Sequence, residues 1–323
     1  MTDSWERARR ILATAGLPPE RLARVRVLTG GTYNTVEELR LTDGSRYVLK
    51  VPPPPTVPGL RHERELLVSE AEFYRAAATV GVHAPRVVAF AERELLMTAC
   101  PGDPWDDSFT DAEQEDLRTE LGRQVARLHR VTGPGFGYPS GALGPLAPDW
   151  RTAVGGMLDA VLDDARHYGA RLPRPADEVA RTLRAAYPAL DDVTVPRLVH
   201  FDLWPGNILV DRSTGTPRIG GLIDGERMFW GDPVAEFVSL ALLGDIEKDE
   251  GFLAGYREAG GRVDFDTATR IRLALYRAYL YLIMITETVP RGPDAGRDRW
   301  VQEAVAPELV AALDEIEDLT RTA

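Results

Sequence analysis

Apolar and polar positions recur along the chain with two different periods, and each predicts a different kind of element. Residues 1–16 place Trp5, Ala8, Ile11, Leu12 and Ala15 on one side of a helical pattern, which predicts an amphipathic helix. From 26 to 51 the pattern changes to short apolar runs separated by turn residues. It predicts a strand, a loop at 29–34, a strand at 36–41, a turn at 42–45 and a strand at 47–51. Asp43-Gly44 is the strongest hairpin signal in this stretch. Residues 52–59 are rich in proline and read as an extended loop. A helix is expected over about 59–80, then strands at 84–88 and 94–98, with a break at Pro101-Gly102.

The remainder is mostly helical. A helix over 111–131 opens with Thr110 or Asp111 as its cap and a Glu three residues on. Residues 132–149 form a loop rich in Gly and Pro. Helices follow at 150–167 and 175–188. Another after Gly231-Asp232-Pro233 carries Ala235, Phe237, Val238, Leu240, Ala241 and Leu242, and the last three are expected near 249–259, 266–287 and 297–320.

Composition narrows the class. A length of 323 residues with 44% apolar content suits two lobes around one cleft. The lone Cys100 excludes an internal disulfide, fits a reducing cytoplasm, and reads as a small packed residue. Residues 1–16 lack the apolar stretch of a signal peptide. The most apolar run, 273–286, contains Arg277 and is too short to span a bilayer, so neither a membrane partner nor a non-cytoplasmic location is expected. The net charge of −12 argues against nucleic acid and permits a cationic partner. Only Lys50 and Lys248 stand against 36 arginines among the 38 basic residues, which makes each lysine informative. No internal repeat, zinc spacing, nucleophile elbow or dinucleotide fingerprint occurs.

The densest chemistry lies at 198–232. His200-Phe201-Asp202-Leu203-Trp204-Pro205-Gly206-Asn207 leads into the apolar run Ile208-Leu209-Val210. A turn at 211–215 follows, then a second apolar run that ends Ile223-Asp224-Gly225-Glu226. This predicts a loop and a hairpin, with Asp202 and Asn207 on the loop and Asp224 at the end of the second strand. Phosphoryl transfer needs an oriented hydroxyl, magnesium on the phosphate oxygens and nearby positive charge, with little covalent help. Asp202 can accept or orient the hydroxyl. Asn207 offers magnesium a neutral oxygen and Asp224 a charged one, and that ion prefers a few hard oxygens beside water and phosphate.

The loop from His200 to Asn207 resembles the H-x-D-x-x-x-x-N catalytic loop of the aminoglycoside phosphotransferases and their relatives, the choline, fructosamine and homoserine kinases. Ile223-Asp224-Gly225-Glu226 and Gly231-Asp232-Pro233 match the segments that follow it in that family. The chain departs from the pattern twice. Phe201 stands where Gly is common, and Glu236 where relatives usually have Asp. The resemblance implies a bilobal α+β fold of the protein-kinase type. A small β-rich nucleotide-binding lobe would occupy 1–98, and a larger, mostly helical catalytic and acceptor-binding lobe 99–323.

It also implies roles. The protein would be an ATP-dependent kinase using Mg2+, with GTP left open as donor, acting as a monomer or homodimer on a hydroxyl of a small molecule. Asp202 would be catalytic, and Asn207 and Asp224 would hold the metal. Lys50 would contact the α- and β-phosphates. Glu70, preferred over Glu63, Glu65 and Glu72 because it precedes Phe73-Tyr74, would orient that lysine. Gly30, Gly31, Thr32 and Asn34 would cover the nucleotide, while Met97, Thr98, Ala99 and Cys100 would form the hinge that meets the base. His200 would support the loop, and the acid that holds its backbone is divided between Asp232 and Glu236. The first expectation for the acceptor is an aminoglycoside or other amino-bearing natural product, in resistance or biosynthesis. Glu226, Asp245, Glu247 and Glu287 are the acids that could face such a cation. The alternative is a metabolic fructosamine, choline or homoserine kinase, and the Trp204 of Asp-Leu-Trp is shared with fructosamine kinases and some antibiotic phosphotransferases. A silent nucleotide binder would be expected to lack Lys50, Asp202, Asn207 or Asp224, and all four are present.

Overall fold

The computed structural model describes residues 2–28 and 33–322, so Gly30, Gly31 and Thr32 lie outside the described residues. The chain opens with α1 (Thr2–Thr14) and β1 (Leu22–Leu28), β2 (Thr35–Leu41) and β3 (Arg46–Val51). After the proline-rich loop come α2 (Leu66–Ala78), β4 (Val87–Ala91) and β5 (Glu94–Thr98). The strands form one antiparallel sheet in the order β1-β2-β3-β5-β4. The β2–β3 turn closes as its residues dictate. Gly44 takes a left-handed conformation at φ 87°, and the Ser45 N–H donates to the Asp43 carboxylate at 2.9 Å. α1 lays Ala8, Ile11 and Leu12 against Leu39, Leu41, Leu49 and Leu96. Trp5, a turn earlier, stays exposed rather than joining that face.

The expected helix at 59–80 begins later than its pattern suggests. Arg61–Glu63 form only a single 3-10 turn, and Glu65 adopts left-handed φ 59° before α2 starts. The cause is tertiary. The N–H and Nε of Arg61 donate to Asp164 at 2.8 and 3.0 Å, and the Tyr168 hydroxyl donates to the Gly59 carbonyl at 2.8 Å. These bonds pull the segment away from a helical path and onto the second half of the molecule.

That half contains β6 (Asp103–Pro104), α3 (Asp111–Leu128), α4 (Trp150–Tyr168), α5 (Ala176–Ala185), β7 (Arg197–Val199), β8 (Ile208–Asp211), β9 (Arg218–Leu222) and β10 (Phe229–Gly231). It finishes with α6 (Glu236–Leu240), α7 (Glu250–Glu258), α8 (Thr267–Thr286), α9 (Ala295–Trp300) and α10 (Ala306–Thr322). Thr110 is the cap of α3, exchanging hydrogen bonds with Glu113. α8 is buried along most of its length and packs on α4, α6 and α10. α6 is shorter than expected and ends before a left-handed Leu243. Two small ladders, β6-β8-β9 and β7-β10, are antiparallel, and their ends hold the stretch that carries His200, Asp202, Asn207 and Asp224. Among the described residues, no helix is long and apolar enough to cross a membrane.

Phe201 explains its own departure from glycine. Its backbone is left-handed at φ 64°, the conformation for which glycine is the usual choice. Its ring is fully buried, 4.9 Å from the ring centre of Phe229 and 5.7 Å from that of Tyr279. Aromatic burial outweighs a backbone strain of roughly 1–3 kcal/mol. Phe201→Ala keeps the strain and loses the ring, so it should cost about 3–5 kcal/mol of unfolding free energy in a urea titration. A loss below about 1 kcal/mol would show that neighbouring side chains can collapse into the space.

Candidate active site

The loop after β7 is held from below by buried acceptors. The carboxylate of Glu236, fully buried at the start of α6, accepts the N–H groups of His200 at 2.7 Å and Phe201 at 2.9 Å. The Ser239 hydroxyl accepts the Leu203 N–H at 3.0 Å. His200 bridges loop and hairpin. Its Nε2 lies 2.9 Å from the Ile223 carbonyl, and its Nδ1 takes the Asp202 N–H at 3.2 Å, so Nε2 carries the proton. Asn207 donates its side-chain amide to the Asp202 carbonyl at 2.8 Å and to Asp202 Oδ2 at 3.1 Å, while its backbone carbonyl accepts the Ile223 N–H at 2.9 Å. Asp202 and Asp224 are therefore fixed relative to each other through short, direct links. Burial pushes the Asp202 carboxyl above the ordinary range, and the nearby Arg227 opposes that rise.

A second cluster gathers around Lys50, which is buried on β3. Its ammonium lies 2.7 Å from Glu70 Oε1 on α2, pairs with Asp224, and stands 3.6 Å from Glu226 Oε2. Of the four glutamates considered for this lysine, Glu70 is the one in contact; Glu63 binds Arg291, and Glu65 pairs with Arg93. The Tyr74 hydroxyl donates to Glu70 at 2.7 Å and accepts the Asp224 N–H at 3.0 Å. Asn34, at the end of the loop between β1 and β2, donates to Glu226 at 2.6 Å. Despite burial, Lys50 holds the Asp224 carboxyl below its usual range. Glu226 is the third carboxylate on one ammonium, and burial together with the Asp224 charge drives its pKa well upward.

The remaining expected residues fall in different places. Met97 pairs with Val48 across the sheet. The Thr98 and Ala99 N–H groups donate to the Arg86 and Arg46 carbonyls at 2.9 and 3.1 Å, so these donors are committed within the fold and are not open to a base. Burial raises the Cys100 thiol to about 11, and it packs so closely on Gly221 that a Cβ there would lie 2.6 Å from the sulfur. Asp232 caps the Val234 N–H at 3.1 Å, accepts the Tyr276 hydroxyl at 2.8 Å and meets Arg272 at 2.9 Å. The loop-holding role divided between Asp232 and Glu236 thus falls to Glu236.

The acids expected to face a cationic acceptor are otherwise engaged. Glu226 belongs with Lys50. Glu287 shares one oxygen between Arg227 at 2.8 Å and Arg291 at 3.0 Å. Asp245 caps the Glu247 N–H and lies 3.4 Å from Lys248, and Glu247 holds Arg270 through both oxygens. The sequence reading missed Arg227, Tyr74 and Ser239. Arg227 directly follows Ile223-Asp224-Gly225-Glu226, and a cation in so acidic a segment was the available signal.

The sequence model of the phosphotransferase enzyme family (APH) matches residues 24–274. The chain belongs to this family. It is a small-molecule phosphotransferase with a hydroxyl acceptor. A Lactiplantibacillus plantarum protein assigned as a ketoamine kinase is 27% identical over 283 residues, which cover 83% of this chain and 90% of the relative. The solved structure of a Thermobifida fusca protein assigned as a fructosamine-3-kinase superposes with a TM-score of 0.67 at 21% identity, covering 98% of each chain. An aminoglycoside phosphotransferase solved with streptomycin and ATP gives 0.57 at 18% identity, over 91% of this chain and 94% of that one. These likenesses identify the architecture as the bilobal protein-kinase-like fold.

The crowding around Lys50 has a thermodynamic consequence. Glu226 titrates in its ordinary range in the unfolded chain and higher in the fold. Between those two values the folded state holds a proton that the unfolded state has released, so stability falls as pH rises through that window. Glu226→Gln keeps the acceptor for Asn34 and removes the titration. Its melting temperature should exceed the parent's at pH 8, and the difference should shrink toward pH 4. A constant difference across that range would rule out Glu226 as the group responsible.

Proposed function

We propose that the chain is an ATP-dependent kinase for a ketoamine, a sugar joined to an amine, and that it phosphorylates a sugar hydroxyl. The observation that carries this reading over an aminoglycoside is the pairing of the candidate acids. Glu287 is taken by Arg227 and Arg291, Glu247 by Arg270, and Asp245 acts as a cap beside Lys248. On the Asp202 side, Asp202, Glu287 and Glu63 face Arg227 and Arg291, a balance that suits one ammonium better than several. Trp204, exposed two residues after Asp202, adds an aromatic face for the apolar side of a sugar ring. The likeness to the ketoamine kinase over most of both chains supports the same acceptor class.

The roles follow from the contacts. Asn207 occupies Asp202 Oδ2, and Oδ1 takes no hydrogen bond among the described residues, so Oδ1 would orient the acceptor hydroxyl. Lys50, steadied by Glu70, would face the phosphates of ATP. The donor set fits Mg2+. Glu70, Asp224 and Glu226 bring oxygens within 4.8 Å of one another, and their charge exceeds that of the single lysine beside them. Asn207 has spent its amide nitrogen on Asp202 and keeps its oxygen for a hard cation. Asp224 and Asn207 would hold the ion, which when bound neutralises phosphate charge.

ADP release measured with Mg2+ and ATP against a fructose-derived ketoamine, several aminoglycosides, choline and homoserine tests the acceptor. The ketoamine should exceed each of the others in kcat/KM by about 100-fold or more. An aminoglycoside as the best substrate would overturn the choice.

The metal reading is tested separately. Asp224→Asn should weaken ATP binding by roughly 10-fold or more with Mg2+ present and leave binding in EDTA unchanged, by calorimetry. Equal weakening in both conditions would remove Asp224 from the metal site.

A further inference from the structure

A line of charged side chains of alternating sign joins the turn before α2 to the loop that carries Asp202. Glu63 on that turn accepts the Leu60 N–H on Oε2 at 2.8 Å and Arg291 Nη2 on Oε1 at 2.7 Å. Arg291, beyond the end of α8, also reaches Glu287 Oε2 at 3.0 Å. The same oxygen accepts Arg227 Nη2 at 2.8 Å, and Arg227 Nε stands 3.9 Å from Asp202 Oδ2. Glu63 is 2% exposed, and the side chains of Arg291, Glu287 and Arg227 are 14, 12 and 13% exposed.

Charges buried this deeply are costly to desolvate and persist only while each keeps its partner. Neutralising one leaves the next uncompensated, so a change at Glu63 must be felt at Arg227. The line also has a neighbour that ends elsewhere. Arg61, on the same turn, pairs with Asp164 on α4 and goes no further toward Asp202. Arg61 and Asp164, with Tyr168 on Gly59, already tie this turn to α4. Glu63 supplies something else, a fixed negative end for the line.

We infer that Glu63, Arg291 and Glu287 are positioning residues for phosphoryl transfer, acting through Arg227 to fix the Asp202 carboxylate and to link its placement to the seating of the turn before α2. This rests on Asp202 as the group that orients the acceptor hydroxyl. The interaction is indirect for Glu63 and Glu287, since neither touches Asp202, and among the described residues no ion pair joins Arg227 to the Lys50 cluster, whose Asp224 and Glu226 it reaches only by longer-range attraction, so it should act on turnover more than on nucleotide binding.

The test measures Glu63→Gln and Glu287→Gln alone and in an Arg227→Met background. Each alone should lower kcat by roughly 3- to 30-fold, the size of effect carried by packed charge networks, with the KM for ATP unchanged. In Arg227→Met, neither should lower kcat further, because the route to Asp202 is already cut. Arg291→Lys, which keeps the charge, should retain most of the turnover. Asp164→Asn is the control, expected to lower the melting temperature and leave kcat per folded molecule intact. Falls in kcat that multiply in the Arg227→Met background, or a kcat equal to the parent's in both single variants, would overturn the inference. If Glu63→Gln does not fold, Glu287→Gln decides by the same comparison. Asp202→Ala separates the two levels. Full turnover in that variant removes Asp202 as the orienting group. Loss there, with parental kcat in Glu63→Gln and Glu287→Gln, removes only the charge line.

Discussion

One buried ammonium sets the geometry of the cleft. Lys50 lies inside the sheet and can be neutralised only by acids that reach it from elsewhere, Glu70 from α2 and Asp224 from the end of β9. An unpaired charge at that depth would be strongly destabilising, so strand, helix and hairpin must converge on it. Tyr74 tightens the arrangement by bonding both Glu70 and the Asp224 backbone. The arrangement is crowded with carboxylates, since Glu226 stands beside the same lysine. A site in that condition favours a cation brought to the carboxylates.

The loop after β7 obeys a different constraint. Its backbone turns sharply enough that Phe201 adopts a left-handed conformation. Such strain survives where surrounding contacts overdetermine it. Here they are the Glu236 carboxylate under two N–H groups, Ser239 under a third, and the aromatic packing around Phe201. Rigidity is thus produced beneath the loop, and Asn207 bonds Asp202 above it. Glu236 carries one more methylene than the aspartate usual in relatives, and it still reaches both N–H groups.

Arginine pairing alters the meaning of the acidic composition. A net charge of −12 suggests a surface that draws cations, yet the acids named for that purpose are bound to Arg227, Arg291 and Arg270, or act as caps. Charge counted over a whole chain measures long-range attraction. Recognition at a site depends on the carboxylates left unpaired there.

The sequence by itself determined the secondary structure of most segments, the hairpin that carries Asp224, and the set Lys50, Asp202, Asn207 and Asp224. The elements depend on local periodicity and turn residues, Asp202, Asn207 and Asp224 on the spacing of polar side chains around short strands, and Lys50 on the resemblance to the phosphotransferase family, all of which can be read along one dimension. Glu70 was also legible, through the resemblance of its place before Phe73-Tyr74 to that of the corresponding glutamate in the family. What only the tertiary structure decided were the pairings between distant segments. The 59–65 segment leaves a helical path because Asp164, about a hundred positions away, binds Arg61. Glu236 rather than Asp232 holds the loop because Tyr276 and Arg272 claim Asp232. Glu287 was legible as an acid, but its commitment to two arginines was not. The partner of a buried charge is chosen by proximity in the folded chain, and no pattern along the sequence encodes that distance.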